Sequence, residues 1–492
     1  MFARTLAFVL GFALPLLLVR RLDQTQFGLY KQVFLIVGTA VNVLPLGFHM
    51  SAFYFLPRER ERQGQIVLNI LLFHTLAAGL VSLLLILRPG ILAGIFNSSA
   101  LVSETPLIAV VMLLWVSTSF LEYLAMANQE TKLATILIVI LQLSRTALLL
   151  GATLFVGSVR ALICAAIIQG GLQLIMLLAY LSRRFRAFSS GFDWALLRRQ
   201  SGYAIPLGVA GLFYTLQLDV HQYFVSYHYD AAAYAVYAIG CFQLPLIHIL
   251  SDSVGSVMIP QVSYLQRNNN RREIILLTAR MMRKLAAIYF ALYIFLLVSG
   301  REFIIVLFTE RYLASWPIFA VNLTMIPLFF LSNIYDPIMR AYAEHRYFLL
   351  RLRVALLTLL LVALWYGTAR FGMLGVISLV TIANLIERLV TVAKVGRILG
   401  VGRRDLPLLK DVGKIAVAAG AAGALTAVVR ASMPGLRPLV VLSVCGLTFS
   451  LAYLAVMLWL KVPATEEWEA LQRRIASVQQ HTPWRRVTSH PA

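Results

Sequence analysis

An all-α integral membrane protein with about fourteen transmembrane helices is the fold class that this sequence predicts. Hydrophobic residues make up 60% of the 492 residues and charged residues only 13%, whereas about a quarter of the residues in a soluble domain are charged. The apolar residues are grouped in stretches of about 20, the length that a helix needs to cross the hydrocarbon core of a bilayer. Only short gaps separate these stretches, so no part of the chain predicts a soluble catalytic domain.

Each predicted span is an apolar stretch bounded by polar or cationic residues. In chain order, the predicted spans cover residues 4–19, 29–55, 65–87, 106–127, 133–157, 161–181, 202–227, 232–263, 282–299, 316–341, 348–368, 372–394, 412–430 and 438–460. The two widest interior gaps separate six spans from the next six and set off a final pair. The predicted parts are an N-terminal six-helix bundle over residues 1–181, a C-terminal six-helix bundle over 202–396, two additional helices over 411–461 and a cytoplasmic tail over 462–492.

Two six-helix bundles predict a central cleft between them. Many transporters place a binding site near the membrane midplane, where two such bundles face each other. In the tail, residues 465–477 predict a short helix with Trp468, Leu471 and Ile475 on one face. A helix of this kind lies along the membrane surface.

The cationic residues orient the predicted spans. Of the 43 lysine and arginine residues, thirty-one lie in alternate gaps, at the span ends that border these gaps, or at the chain ends; ten lie in or next to the other gaps, and Arg145 and Arg388 lie deeper inside spans. Cationic loops remain in the cytoplasm, so we expect both termini to be cytoplasmic. This signal, with attraction to anionic headgroups, accounts for the net charge of +22 without a nucleic-acid partner.

Sequence motifs of enzymes and cofactor sites are absent. The chain has no G-x-x-x-x-G-K-[ST] loop, no G-x-S-x-G motif and no His or Cys cluster with metal-ligand spacing. Cys164, Cys241 and Cys445 all lie in apolar stretches, where thiols usually pack as small hydrophobic groups. We therefore expect no catalytic residue, no metal and no cofactor.

Ionisable side chains inside the predicted spans are the main candidates for function, because a charge at membrane depth is costly and usually faces a polar cavity or a partner. They are Glu122, Arg145, Asp219, His221, Asp252, Asp336, Glu387 and Arg388. Arg145 lies near the middle of the fifth span, beside Gln142 and Ser144. A guanidinium binds phosphate through two parallel hydrogen bonds, so Arg145 is a candidate anion-binding residue. The alternative is a structural ion pair with Glu122.

A second group of candidates lies in the C-terminal half of the predicted spans. Asp219 and His221 are two residues apart in the seventh span, and Asp252 lies in the eighth. Carboxylates and histidines at membrane depth form proton relays, so these three are candidates for ion coupling. The alternative for Asp219 and Asp252 is a structural contact between helices. Arg388 follows Glu387 directly, and its alternative is a side chain that extends to the inner interface.

Five segments resemble a known family of membrane proteins. They are residues 20–30 (RRLDQTQFGLY), 46–58 (LG to LPR), 218–235 (LD to YDAAAYA), Pro245 with 259–263 (IPQVS), and 371–375 (FGMLG). In order and spacing they are similar to the polysaccharide biosynthesis flippases of the multidrug/oligosaccharidyl-lipid/polysaccharide exporter superfamily. The resemblance covers roughly residues 4–460.

This resemblance implies translocation of a polyprenyl-pyrophosphate-linked glycan from the inner to the outer leaflet of a bacterial inner membrane. Implied partners are that glycan, membrane lipids, and a glycan polymerase or other polysaccharide-assembly proteins. Arg145, Glu122, Asp336 and Arg388 are then expected to contact the substrate. Arg20 and Arg21 lie in a gap assigned to the outside, where the charge bias predicts few cations. They are therefore candidates for binding the substrate headgroup at the outer mouth. The alternative is that they anchor the protein to lipid phosphates.

Two other functions stay open on the sequence alone. A cation-coupled drug antiporter of the same superfamily is one, although the many cations disfavour organic-cation substrates. A membrane-embedded polysaccharide polymerase or ligase is the other. Such enzymes usually carry a large external loop, whereas the longest external gap here, residues 88–105, is short.

Overall fold

The computed structural model describes residues 14–185, 191–342 and 345–462, which are almost entirely helical and contain no strand. The all-α membrane class predicted from the sequence is confirmed. In the first half the helices are α1 (residues 14–21), α2 Gln24–Val43, α3 Ser51–Phe55, α4 Gln63–Leu87, α5 Gly90–Phe96, α6 Ala100–Thr118, α7 Leu121–Ala127, α8 Thr131–Phe155 and α9 Val159–Arg184. In the second half they are α10 Trp194–His228, α11 Ala231–Gly240, α12 Pro245–Arg267, α13 Arg271–Phe308, α14 Trp316–Leu323, α15 Met325–Ala341, α16 Arg346–Leu399, α17 Lys410–Ala431 and α18 Pro438–Trp459.

The described residues contain nine helices that are long and apolar enough to span a membrane, or up to twelve if three bent helix pairs each form one span. Helix α16 counts once in these numbers, although Gly372 interrupts it with φ 63° and ψ −168°. Dividing α16 there and adding the first predicted span, which the described residues do not test, would raise the number to fourteen. The predicted count of fourteen therefore stays a prediction.

The bend between α2 and α3 follows from the sequence Pro45-Leu46-Gly47. Leu46 and Gly47 have positive φ angles, 41° and 70°, which an α-helix does not tolerate. Gly208 of α10 packs against this bend so closely that a Cβ there would lie 2.0 Å from the Leu46 carbonyl oxygen. Glycine is required at this position because the two backbones are in direct contact.

Many large apolar side chains on the outside of the helices are exposed. Leu80 is 69% exposed, Phe155 90% and Trp459 80%. Water would penalise this much exposed apolar surface, whereas lipid tails are themselves apolar. The surface therefore agrees with the composition: the chain is a multi-pass membrane protein.

Two compact units divide the chain. The larger unit runs to Tyr264 and resumes over Ile304–Val395, and the smaller unit contains Leu265–Phe303 and the residues from Gly396 onward. This partition differs from the two predicted six-helix bundles, whose boundaries stay a prediction. The first predicted span lies largely outside the described residues, and the helix predicted over 465–477 lies wholly outside them.

The larger unit contains three clusters of buried apolar side chains. One lies among α3, α4, α7, α8, α9 and α10 and includes Phe48 and Phe120. A second lies among α2, α4, α6 and α9 and includes Trp115. The third joins α10, α11, α14 and α16 and includes Tyr234 and Tyr237. These clusters hold the helices on which the candidate site residues lie.

Candidate binding cavity and buried charge cluster

A polar cavity of about 550 Å³ opens within the larger unit. Its polar lining residues are Asn42, His49, Trp115, Ser119, Glu122, Tyr123, Gln142, Arg145, Gln169, Gln173 and Thr215. They come from α2, α6, α7, α8, α9 and α10, together with the turns after α2 and α6. Gln169, Trp115 and Thr215 lie within about two residues of the middle of a predicted span, and the others lie between the middle and the end that the charge bias assigns to the cytoplasm.

Arg145 is half-buried at this cavity, and its guanidinium carbon lies 4.2 Å from the centroid of the Trp115 ring. The negative face of an indole ring attracts a cation. The indole N–H of Trp115 donates to the Ala166 carbonyl oxygen at 3.1 Å, which fixes the ring. Gly170, one turn further along α9, leaves room for this ring, because a Cβ there would lie 3.0 Å from the Trp115 Cδ1. The Arg145 head group is thus placed by a ring that is itself held in position.

Neutral amides form another wall of the cavity. The Gln169 side-chain amide donates to the Gln173 Oε1 at 3.3 Å, and the Gln173 amide donates to the Thr118 carbonyl oxygen at 3.2 Å. The two glutamines are four residues apart, so they lie on one face of α9. Amides accept and donate hydrogen bonds, as a sugar hydroxyl requires.

Glu122 and His49 also line the cavity. Glu122 is half-buried in α7, and the His49 ring lies 4.5 Å from the Tyr123 ring. The sequence interpretation placed Arg145 and Glu122 near each other, and the structure brings both to one cavity.

Arg20 and Arg21 do not line this cavity. Both are exposed at the end of α1. The Arg20 guanidinium donates to the Val306 carbonyl oxygen at 2.7 Å. The nearby Gln24 amide donates to the Arg311 carbonyl oxygen, also at 2.7 Å. These bonds join the start of α2 to the segment around 306–311, at the end of the helices predicted to face outward.

Arg388 is buried, which contradicts the alternative that its side chain extends to the inner interface. It is 6% exposed. Its Nε donates to the Leu328 carbonyl oxygen at 2.9 Å, and its guanidinium donates to the Asn384 Oδ1 at 2.8 Å. Two acceptors within the helix packing replace the water that an interfacial arginine would need.

Glu387, next to Arg388, is the centre of a buried charge cluster. It is 3% exposed and accepts hydrogen bonds from the Arg353 Nε at 3.0 Å and the Gln217 amide at 2.7 Å. Asp336 is half-buried and lies within electrostatic range of Arg353. The sequence analysis counted Arg353 among the cytoplasmic cations, whereas the structure places it inside α16 as the partner of Glu387. Asp336 and Arg388 therefore lie with this cluster and do not line the Arg145 cavity.

The three candidates for ion coupling are separated. His221 is 5% exposed, and its Nδ1 lies 2.6 Å from the Tyr237 hydroxyl oxygen. It lines a small cavity of about 60 Å³ that Asp219 does not line. Asp219 is half-buried and accepts a long hydrogen bond of 3.4 Å from the Gln222 amide. Asp252 is exposed on α12.

Metal binding has no support in the described part of the chain, which contains no group of three or more His, Cys, Asp or Glu side chains that could hold a metal ion. The polar side chains of the cavity are arranged for hydrogen bonding and for contact with a charged group. The arrangement can bind an anion at Arg145 and polar groups along the glutamines.

A bundle of long apolar helices with a polar cavity at membrane depth is the architecture of a membrane transporter. The family description "Polysaccharide biosynthesis protein" matches residues 1–266, more than half of the chain. The chain belongs to this family, and the family expected from the sequence motifs is confirmed. No curated protein sequence matches the chain.

Solved structures share the fold at low sequence identity. "Lipid II flippase MurJ, inward closed conformation" superposes with a TM-score of 0.70 at 13% identity and covers 94% of this chain and 98% of that one. The inward-facing conformation of a multidrug resistance MATE family transporter of the MOP superfamily gives 0.60 at 11% identity, covering 82% and 96%. The outward-facing conformation of such a transporter gives 0.55 at 12% identity, covering 81% and 93%. At these identities the similarity is one of fold.

Sequence reasoning missed Trp115, His49, Gln169 and Gln173 as cavity residues. One signal was present: glutamines four residues apart in an apolar span lie on one helix face, and such a face is expensive against lipid. Neutral amides were outside the set of candidates, which contained only ionisable side chains.

Proposed function

We propose that this protein is a flippase that moves a polyprenyl-pyrophosphate-linked oligosaccharide across the bacterial inner membrane for polysaccharide biosynthesis, by alternating access. The observation that carries the proposal is the polar cavity around Arg145, in a chain of the polysaccharide biosynthesis family. Inner-membrane location and cytoplasmic termini are part of the proposal; the location rests on the family resemblance, and the termini rest on the distribution of cations.

The chemistry of such a substrate matches the cavity. Its pyrophosphate is an anion, its head is a set of hydroxyl groups and its tail is apolar. Arg145 supplies a planar donor for a phosphate, and the amides of Gln169 and Gln173 supply donors and acceptors for hydroxyl groups. The polyprenyl tail remains in lipid, which costs nothing because tail and lipid are equally apolar.

At the end of the larger unit that is predicted to face outward, one backbone contact and two side-chain hydrogen bonds join the helices, while the cavity lies toward the predicted cytoplasmic side. Gly28 packs directly on Ala231, and Arg20 and Gln24 donate to the carbonyl groups of Val306 and Arg311. In the proposed cycle this is the state that receives substrate from the cytoplasmic leaflet. Release then requires these contacts to break, and Arg20 and Arg21 become available to the headgroup at the outer mouth.

Ion coupling belongs to the same proposal. Asp219 is the proposed coupling carboxylate, since it is half-buried and the hydrogen bond that it accepts from Gln222 is long. In the sequence-based proposal, His221 is a neighbouring group of the proton relay and Asp252 is a second carboxylate. The structure separates both from Asp219.

The experiment is transport in proteoliposomes. A fluorescent polyprenyl-pyrophosphate-linked oligosaccharide is placed in both leaflets, and a membrane-impermeant quencher is added outside. The rate of further quenching reports how quickly the lipid of the inner leaflet reaches the outer leaflet. We expect the wild-type protein to speed this exchange and Arg145→Ala to abolish the increase. Arg145→Lys should restore only part of it, because lysine lacks the planar fork.

The matched control is Arg160→Ala, which removes an exposed cation of α9 outside the cavity and should leave exchange unchanged. Folding is checked by the elution profile and the thermal midpoint of each variant. Normal exchange by a folded Arg145→Ala protein would remove the substrate role. No stimulation by the wild-type protein would reject the flippase function for this substrate.

A further inference from the structure

A second cavity lies on α16, far from Arg145 along the chain. Its volume is about 540 Å³. Its lining residues are His345, Tyr347, Phe348, Arg351, Leu352 and Lys394. Lys394 lies over the Phe348 ring, with its Nζ 5.7 Å from the ring centroid. The first turn of α16 therefore lies beside Lys394, because the helix folds back at Gly372.

The fold-back places this cavity at a membrane surface. Lys394 follows Gly372 by 22 residues, which at about 1.5 Å per residue is about 33 Å of helix. The hydrocarbon core is about 30 Å thick. The cavity and Gly372 thus lie at opposite faces of the membrane, and the charge bias assigns the face with the cavity to the cytoplasm.

The charged residues among the described part of the lining are all basic or ionise to a cation. Three of its members are basic, and among the residues described none is acidic. Arg351 and Lys394 form no ion pair with any described residue, whereas other surface arginines do: Arg184 pairs with Glu130 at 2.9 Å and Arg199 pairs with Glu59 at 2.9 Å. Two basic groups left together over one cavity need an anion.

We infer that this cavity binds the phosphate of an anionic phospholipid from the cytoplasmic leaflet. Arg351 and Lys394 contact the phosphate, and basic pockets between helices on this side of a membrane are suited to anionic headgroups. Phe348 and Leu352 offer an apolar wall to the glycerol and the first carbons of the acyl chains. A free phosphate would make no use of that wall, which is why a lipid is the favoured source of the anion. The site goes beyond the transport function and is independent of it.

Native mass spectrometry of the purified full-length protein tests this inference without any transport step. The protein in detergent is titrated with phosphatidylglycerol, and separately with phosphatidylcholine, whose headgroup carries no net charge. We expect tighter binding of phosphatidylglycerol by the wild-type protein. Replacing both cations, in Arg351→Gln with Lys394→Gln, should weaken that binding by roughly tenfold or more. The exchange of cations, Arg351→Lys with Lys394→Arg, should keep most of it and controls for folding.

Arg370→Gln is the matched control, because it neutralises an exposed arginine of the same helix next to Gly372, at the opposite end from the cavity. It should bind phosphatidylglycerol as the wild type does. Equal binding by the wild type and the doubly neutralised variant, or equal losses in that variant and in Arg370→Gln, would overturn the site. A third arm adds inorganic phosphate and pyrophosphate: displacement of the lipid by either at micromolar concentration would assign the site to a soluble anion and overturn the lipid assignment.

Discussion

Gly28 packs against the backbone of Ala231 so closely that a Cβ on Gly28 would lie 1.7 Å from the Ala231 carbonyl oxygen. Gly28 lies in α2, and Ala231 is the first residue of α11, where the Asp230 side chain accepts from the Ala233 N–H at 2.7 Å and caps the helix. Both residues belong to segments in which the sequence resembles its family. The two motifs therefore form one contact, at the end of the helices predicted to face outward.

Gly28→Ala is expected to prevent this contact. The atoms nearest to the added methyl group are backbone atoms, so no flexible side chain can move aside to make room for it. Overpacking of this kind costs about 1–3 kcal/mol. In an alternating-access cycle the variant should disfavour the outward-closed state and slow exchange in the proteoliposome assay. The control is Gly38→Ala in the same helix, where a Cβ meets nothing within 4 Å. Exchange at wild-type rate by Gly28→Ala would show that the cycle does not need this contact.

The limits of the helices were largely predictable, since an apolar stretch ends where polar residues begin. The span predicted over 65–87 corresponds to α4 Gln63–Leu87, and that over 438–460 to α18 Pro438–Trp459. Pro45 in the span predicted over 29–55 allows a kink, but the packing around that kink was not predicted. The packing depends on Gly208, a residue distant in sequence that lets α10 approach the Leu46 carbonyl. A window of hydropathy contains no information on such a contact.

The site was predictable in part for a related reason. A charge at membrane depth must be compensated, so Arg145 and Glu122 were evident from the sequence. Arg353 was assigned to a loop because it lies near the end of its span, and only the packing shows that it is the partner of Glu387. Neutral amides cost less to bury than charges, so Gln169 and Gln173 gave a weaker signal. The roles of all these residues in transport stay predictions.

The Glu387 cluster predicts a stability effect that is separable from function. Glu387→Gln leaves Arg353 without its carboxylate, and breaking a buried ion pair on one side costs about 3–5 kcal/mol. The double variant Arg353→Met with Glu387→Leu should lose less, because it leaves no lone buried charge. Thermal unfolding of the detergent-solubilised protein measures both.

Glu59→Gln serves as the comparison for that measurement. It breaks the Arg199–Glu59 pair, in which the arginine side chain is 52% exposed, and exposed pairs contribute about 0–1 kcal/mol. If Glu387→Gln lowers the midpoint no more than Glu59→Gln does, the cluster contributes little to stability.

Orientation is predicted from the cations and is open to direct labelling. Ser190→Cys lies in a gap assigned to the cytoplasm, and Ser99→Cys lies in a gap assigned to the outside. The native residues Cys164, Cys241 and Cys445 are first replaced by alanine. In intact cells a membrane-impermeant maleimide should label position 99 alone, and permeabilisation should add position 190. Labelling of position 190 from outside would reverse the orientation.

Asp219 is the group by which we expect transport to respond to an ion gradient. Its Oδ1 accepts from Gln222, whose Oε1 accepts from the Tyr234 hydroxyl at 3.1 Å. Tyr234 belongs to α11, the helix that packs on Gly28, so this chain of hydrogen bonds connects the carboxylate to the outer contact. A change in the charge of Asp219 would change how strongly its Oδ1 accepts the hydrogen bond from Gln222. Through Gln222 and Tyr234, this change would bias the contact between α11 and Gly28.

In proteoliposomes, wild-type exchange should change under an imposed proton or sodium gradient, and Asp219→Asn should exchange at a rate that no gradient alters. Glu61→Gln, which changes an exposed carboxylate just before α4 and outside the proposed coupling group, should respond as the wild type does. A wild-type protein that ignores both gradients would exclude coupling through Asp219 and leave it a structural hydrogen-bonding residue between α10 and α11.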